Sequence, residues 1–183
     1  MIDPHSPDFG NTPASDLRPT YGYIPEDPRW APCVTVVTPF HNARPVFDQT
    51  ARALFRQSLQ QWEWVIVNDA STCPAALQLL EQYRHRDPRI RVIDHRANAG
   101  PSAARNTGFR QARTDCVFLL DDDDLIEPTT LEKSYWFLAC HPECSFVDAW
   151  SVGFGAKEYL WSEGFRRGRQ FLPESALPLH RRW

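Results

Sequence analysis

The stretch Cys116-Val117-Phe118-Leu119-Leu120-Asp121-Asp122-Asp123-Asp124 passes from an unbroken apolar run straight into a run of carboxylates. Apolar residues without alternation read as a strand covered on both faces, the signature of a parallel sheet. The sudden change to acid sets the aspartates at the carboxyl end of that strand, where open α/β sheets bind their ligands. Like charges so close together raise one another's pKa, and a divalent cation is their natural partner. In an extended stretch Asp121 and Asp123 point one way and Asp122 and Asp124 the other, which offers one pair of hard oxygens to an ion. Two carboxylates leave the shell of Mg²⁺ or Mn²⁺ open, so phosphate oxygens of a substrate can complete it. The competing reading is a solvated acidic loop near the start of the next helix, whose dipole favours negative charge.

Upstream, the same alternation of short apolar runs and amphipathic stretches repeats. Val34-Thr35-Val36-Val37-Thr38 ends at Pro39, Trp64-Val65-Ile66-Val67 stops at Asn68-Asp69-Ala70-Ser71, and Ile90-Arg91-Val92-Ile93-Asp94 reads as a third strand. Pro45 opens a helix whose Val46, Phe47, Ala51, Leu54, Phe55 and Leu59 keep close to a 3.6-residue period. A second helix starts at Pro74 and carries Leu77, Leu80 and Tyr83 on one side. A third runs from Pro101 or Ser102 to about Ala112, with Ser102 as a cap, and a fourth from Pro128 through Leu131, Tyr135 and Leu138. A fifth strand is expected over Ser145-Phe146-Val147-Asp148. Strands and helices in alternation with short connections predict a mainly parallel sheet flanked by helices, a Rossmann-like α/β core.

The polar clusters gather at strand ends: Pro39-Phe40-His41-Asn42, Asp69, and the aspartates. Asp69 can accept a hydrogen bond from an imide N–H of a base, or it can cap a turn. His41 is assigned no role. In Asn98-Ala99-Gly100-Pro101-Ser102-Ala103-Ala104-Arg105-Asn106-Thr107-Gly108, Gly100 and Pro101 make a turn into the helix, and the small residues allow close approach of sheet or ligand. Arg105 lies one turn in, where its guanidinium can pair with diphosphate oxygens or with an aspartate. The stretch is neither a G-x-G-x-x-G nor a P-loop.

Composition excludes several classes. With 183 residues and 42% apolar content the chain can build one sizeable core, and a formal charge of −3 gives no global positive field for nucleic acid. No run is long enough to span a bilayer and no basic-then-apolar leader is visible, so the expected location is cytoplasmic, with peripheral contact at the inner membrane face as a variant. Cys33, Cys73, Cys116, Cys140 and Cys144 fit reduced thiols. Cys140-His141-Pro142-Glu143-Cys144 holds three soft ligands but no matching second half, and a closed zinc site needs four. The plainer reading is small buried hydrophobes near a helix end. Prolines crowd residues 1–32, which read as a leader or linker. Arg166, Arg167, Arg169, Arg181 and Arg182 form a local basic region, read as a solvated face or subunit contact, with an anionic acceptor or lipid phosphate as the alternative.

Four motifs in this order resemble family 2 glycosyltransferases of the GT-A fold. They are Val36-Val37-Thr38-Pro39-Phe40-His41-Asn42, Val65-Ile66-Val67-Asn68-Asp69-Ala70-Ser71-Thr72, the segment from Asn98 to Gly108, and Phe118-Leu119-Leu120-Asp121-Asp122-Asp123-Asp124. The resemblance covers about Cys33 to Asp148. It implies nucleotide-sugar contacts from Pro39, Asp69, Asn98, Gly100, Arg105, Asp121 and Asp122, and a Mn²⁺ or Mg²⁺ ion on Asp121 and Asp123. It implies transfer from a nucleotide-diphospho-sugar, UDP-sugar by preference, to a saccharide, lipid or protein acceptor, with inversion at the anomeric carbon. The family's catalytic base comes from an acidic motif downstream of the metal motif. Glu158, Glu163 and Glu174 lack that context, so the chain is expected to be the donor-binding part of a longer transferase: residues 33–150 the nucleotide-sugar core, 151–183 the start of the acceptor side. A non-catalytic nucleotide-sugar binding module is the alternative. A Mg²⁺-dependent phosphoryl-transfer enzyme is disfavoured, because Thr38-Pro39-Phe40-His41-Asn42 offers no carboxylate nucleophile after the first strand.

Overall fold

Alternation along the two central strands sorts their side chains onto opposite faces, and each face acquires its own helices. The computed structural model describes residues 31–149, 151–153 and 159–161. Its elements are β1 (Val34–Phe40), α1 (Phe47–Phe55), β2 (Trp62–Asn68), α2 (Pro74–Arg84), β3 (Ile90–Asp94), α3 (Pro101–Gln111), β4 (Cys116–Leu119), α4 (Thr130–Cys140), β5 (Ser151–Gly153) and β6 (Tyr159–Trp161). Strands β1 to β4 form a parallel sheet in the order β3-β2-β1-β4. Val34, Val36 and Phe40 of β1 and Trp62, Trp64 and Ile66 of β2 pack with Phe47, Leu54, Leu80, Tyr83 and Leu131, which puts α1, α2 and α4 on one face. Val37, Val65 and Val67 point the other way, onto Ala104 of α3. The result is the helix-covered, mainly parallel α/β sheet that the sequence predicts.

The strand order turns back between β1 and β4, because the chain lays β2 and β3 on one side of β1 and then crosses to the other. That reversal opens a crevice at the carboxyl ends of β1 and β4. Pairing of β1 runs past its proline, with Pro39 opposite Val67, and the Asp69 N–H donates to the Phe40 carbonyl at 2.8 Å. At the other side, the Leu120 N–H donates to the Val37 carbonyl at 3.1 Å and carries β4 up to the first aspartate.

Helix α3 approaches the sheet closely enough to need glycine. A Cβ on Gly108 would stand 2.2 Å from Cγ1 of Val37, a side chain that is itself fully buried. Gly108→Ala is therefore expected to destabilise the fold by about 1–3 kcal/mol, although alanine ordinarily favours a helix over glycine by about 1 kcal/mol. Urea unfolding checks this, and Val37→Ala in the same chain should recover part of the loss; a Gly108→Ala variant as stable as the parent would refute the close approach.

Three expectations need correction. Residues 145–148 form no strand: Phe146 is 60% exposed, and the Ala149 N–H donates to the Asp148 carboxylate at 2.8 Å, a local bond that competes with a ladder. Instead, β5 and β6 make a small antiparallel pair. Ser102 does not cap α3; the N-cap is Gly100 at φ +88° with Pro101 next, a conformation glycine alone adopts at no cost. Cys140 is exposed and Cys144 half-buried, so neither is a core hydrophobe. The chain divides into two units between Pro142 and Glu143. Residues 1–30, with most of the proline-rich leader, and Glu158, Glu163, Glu174 and the Arg166 to Arg182 region lie outside the described residues.

Candidate functional site

The four strand ends deliver the polar residues, and Asp69 ties three of the loops together. It is 2% exposed. Its Oδ1 accepts from the Ala99 N–H at 2.9 Å and from His95 Nδ1 at 2.7 Å, and its Oδ2 accepts from the Gly100 N–H at 2.7 Å. Burial pushes this carboxyl up, but the Ala99 amide, the His95 imidazole and the Gly100 amide outweigh it and hold Asp69 below the usual carboxylate range. Because Asp69 is ionised and accepts only, His95 carries a proton on Nδ1, and its Nε2 hydrogen-bonds with the Thr107 hydroxyl at 2.9 Å. The Ala99 N–H also reaches Oδ2 at 3.2 Å, so three donors make four contacts with the two oxygens.

His41, given no role from the sequence, sits at the end of β1 and bridges two loops. Its Nδ1 donates to the Asp69 carbonyl at 2.8 Å, and its Nε2 accepts from the side-chain amides of Asn42 and Asn98, both at 3.2 Å. Asn98 thus leans over the β1 loop, while Asn42, at φ 52°, receives the N–H groups of Thr72 and Cys73 at 2.8 Å each and fixes the entry to α2. The sequence signal for His41 is its place directly after a buried strand, beside a small polar residue tolerant of positive φ.

The aspartates do not run extended. Residues 122 and 123 form a turn closed by the Asp124 N–H on the Asp121 carbonyl at 3.3 Å, so side chains splay around a bend rather than alternate. Aspartate favours turns, and splaying separates like charges. Asp121 faces Arg105, whose Nη2 lies 2.7 and 2.8 Å from its two oxygens. Asp123 faces Arg44, with Nη2 at 3.2 Å from Oδ2. Arg44 was not singled out in the sequence, and its place in the loop after β1 becomes legible only once β4 is known to lie beside β1. Asp122 is pushed up to about 6, by burial first and then by the Asp123 charge, against the His41 backbone N–H. Asp124 is raised for the same causes, burial ahead of the Asp121 and Asp123 charges. The turn therefore carries more negative charge than its two arginines offset. Among the described residues no group of three or more acidic, histidine or cysteine side chains converges on one point. The donor set fits a cation that takes two hard oxygens here and its remaining ligands from a phosphate or water.

The sheet thus brings Pro39, Asp69, Asn98, Gly100, Arg105, Asp121, Asp122 and Asp123 to its carboxyl end, the first at the end of β1, the next three through the Asp69 network, and the rest around the aspartate turn. The model of Glycosyl transferase family 2 matches residues 35–179. TuaG of Bacillus subtilis (strain 168), which carries a glycosyltransferase name, is 37% identical over 117 residues, covering 64% of this chain and 46% of that protein. Among solved structures, S. aureus TarS 1-349 in complex with UDP superposes with a TM-score of 0.54 at 29% identity, covering 60% of this chain and 32% of that one. The mannosyltransferase PcManGT of Pyrobaculum calidifontis, solved with GDP-Man and Mn²⁺, superposes at 0.52 with 29% identity, covering 62% of this chain and 34% of that one. The chain therefore spans less than half the length of these relatives.

Proposed function

The chain belongs to glycosyl transferase family 2, a family of enzymes, and from that premise we propose that it binds a nucleotide-diphospho-sugar, UDP-sugar by preference, for transfer to a saccharide, lipid or protein acceptor. The observation that carries the reading is the negatively charged aspartate turn beside β1, at the point where the strand order reverses. The solved relatives, one in complex with UDP and one with GDP-Man and Mn²⁺, favour a nucleoside diphosphate and a divalent ion. In this reading Pro39 and Asp69 meet the nucleoside, with an Asp69 oxygen accepting from an imide N–H. Asn98 and Gly100 wall the diphosphate, and Arg105 lies beside it. Asp121 and Asp122 reach the ribose side, and Asp121 and Asp123 hold Mn²⁺ or Mg²⁺. Such an ion, when bound, stabilises charge on the departing nucleoside diphosphate. Arg105 and Arg44 already neutralise part of the acidic turn, and as cations they can pass their donors from carboxylate to phosphate. The transfer inverts the anomeric carbon, with the base supplied by a segment beyond this core. We place the protein in the cytoplasm, because all five cysteines are unpaired, as thiols are in a reducing compartment, and extend this to peripheral contact with the inner membrane face. No described helix is long and apolar enough to cross a membrane.

Calorimetric titration of UDP, GDP and dTDP into the chain, with Mn²⁺ and then with EDTA, tests the reading. One nucleotide should bind in Mn²⁺ and lose most of its affinity in EDTA; absence of binding by a folded sample would overturn the donor site. Binding with no transferase activity from the full-length protein would favour the non-catalytic module.

A further inference from the structure

Beside the edge strand β3 the chain forms an open cavity of about 500 Å³, lined by the β3–α3 connection and one flank of α3. Its polar lining is Asp94, His95, Arg96, Asn106, Thr107 and Arg110, none of which belongs to the donor or metal set above. The single acid is already engaged: Asp94 accepts from Arg84 Nη2 at 2.8 Å and from Asn68 Nδ2 at 2.9 Å. The two arginines of the lining are not. Arg110 reaches only the Thr107 hydroxyl, at 3.2 Å, and Arg96 has no hydrogen-bond or ion-pair partner among the described residues. Each guanidinium carries five N–H donors, so most of this donor capacity has no protein acceptor among the described residues. Ala97, Ala99 and Ala103 form the rest of the wall and leave the space open.

We propose that this cavity is an oxyanion site that takes a phosphate group, held between the guanidiniums of Arg96 and Arg110 with the Asn106 amide as a further donor. Two arginines match a phosphate in charge and present planar forks to its oxygens. The volume accommodates a phosphate together with part of the molecule that bears it. An occupant would abut His95, the imidazole that holds Asp69, so the site lies against the loop on which the donor reading depends. The proposal stands apart from that reading, because the two sites share no binding residue.

The whole chain is titrated with inorganic phosphate while amide ¹H–¹⁵N shifts are followed, and separately mixed with phosphatidylglycerol or phosphatidylcholine vesicles and sedimented. Phosphate should shift the amides of Arg96, Asn106, Thr107 and Arg110, which lie outside the donor set, and Arg96→Gln with Arg110→Gln should weaken its binding at least about tenfold while UDP and Mn²⁺ bind as before. Sedimentation with phosphatidylglycerol vesicles alone, lost in the double variant, would identify a lipid headgroup as the source; phosphate binding without sedimentation would identify a soluble phosphate compound. Both arginines are exposed, so a melting curve like that of the parent is expected of the double variant. A folded parent chain whose Arg96, Asn106, Thr107 and Arg110 amides ignore phosphate would overturn the site, as would a double variant that binds phosphate as tightly as the parent.

Discussion

Replacing Asp69 with alanine is expected to destabilise the fold by about 3 kcal/mol and to abolish nucleotide binding in whatever remains folded. The carboxylate has no spare role as a surface charge: it is buried and takes the N–H groups of Ala99 and Gly100 and the Nδ1 proton of His95. Alanine leaves all three donors without their acceptor. Each orphaned buried donor costs about 1–3 kcal/mol, and water reaching the exposed loop around Asn98 recovers part of the sum. The loop would then lose its fixed distance from the end of β2, and with it the placement of Gly100 at the start of α3. Asp69→Asn keeps the shape but not the charge and should cost less. The pH dependence has a definite sign. A carboxyl held below its unfolded value contributes stability above that value, and the contribution is lost as the pH falls through the folded one. The advantage of the parent over Asp69→Asn should therefore be full at pH 7 and shrink on acidification below about pH 4. Urea unfolding of both at neutral and acid pH measures it. An Asp69→Ala chain that unfolds at the parent's midpoint would remove Asp69 from its place as the tie between the loops.

What the sequence makes legible follows from which interactions are local. The strands β1 to β4 are rich in β-branched and aromatic residues and their starts are placed to within two residues, but only the central β1 and β2 are buried along nearly their whole length; the edge strand β4 is partly exposed, with Leu119 at 43%. The turn at Gly100 and Pro101 is equally plain, since a proline at the first helical position follows the only described glycine with positive φ. The aspartates announce a site but not its shape. Alternation presumes an extended chain, and mutual repulsion together with Arg44 and Arg105 bends it instead. That Arg105 can meet an aspartate is read from the sequence, though not which one, whereas the Arg44 pairing depends on the sheet order that sets β4 beside β1. The His95–Asp69 contact is hidden for the same reason, being a meeting of two strand ends. The expected strand at residues 145–148 fails because its apolar run is only two residues, Phe146 and Val147, between Ser145 and an Asp148 that bonds the next backbone N–H, and Phe146 is left 60% exposed.

Asp123→Ala should leave the fold standing and remove the metal from the binding equilibrium. The pair of Asp123 with Arg44 is half-exposed at one end and 76% exposed at the other, and such pairs contribute about 0–1 kcal/mol, so the melting temperature should hardly move. The effect on binding is of another order. In the proposed reading Asp121 and Asp123 hold the ion, and loss of Asp123 leaves Asp121, which Arg105 already occupies. Removing even a supporting partner of a ligand costs about 10–100-fold in metal affinity, and a direct ligand should cost at least the upper end of that range. Nucleotide binding in Mn²⁺ should therefore fall to the level seen in EDTA. Asp124→Ala is the control, for Asp124 is given no ligand role and should keep the metal dependence. Calorimetry of both variants beside the parent, with a melting curve for each, separates the possibilities. If Asp123→Ala retains the Mn²⁺ dependence, the ion is held elsewhere. If it collapses without nucleotide or metal present, the aspartate turn is a structural element in which the Arg44 pair outweighs its exposure.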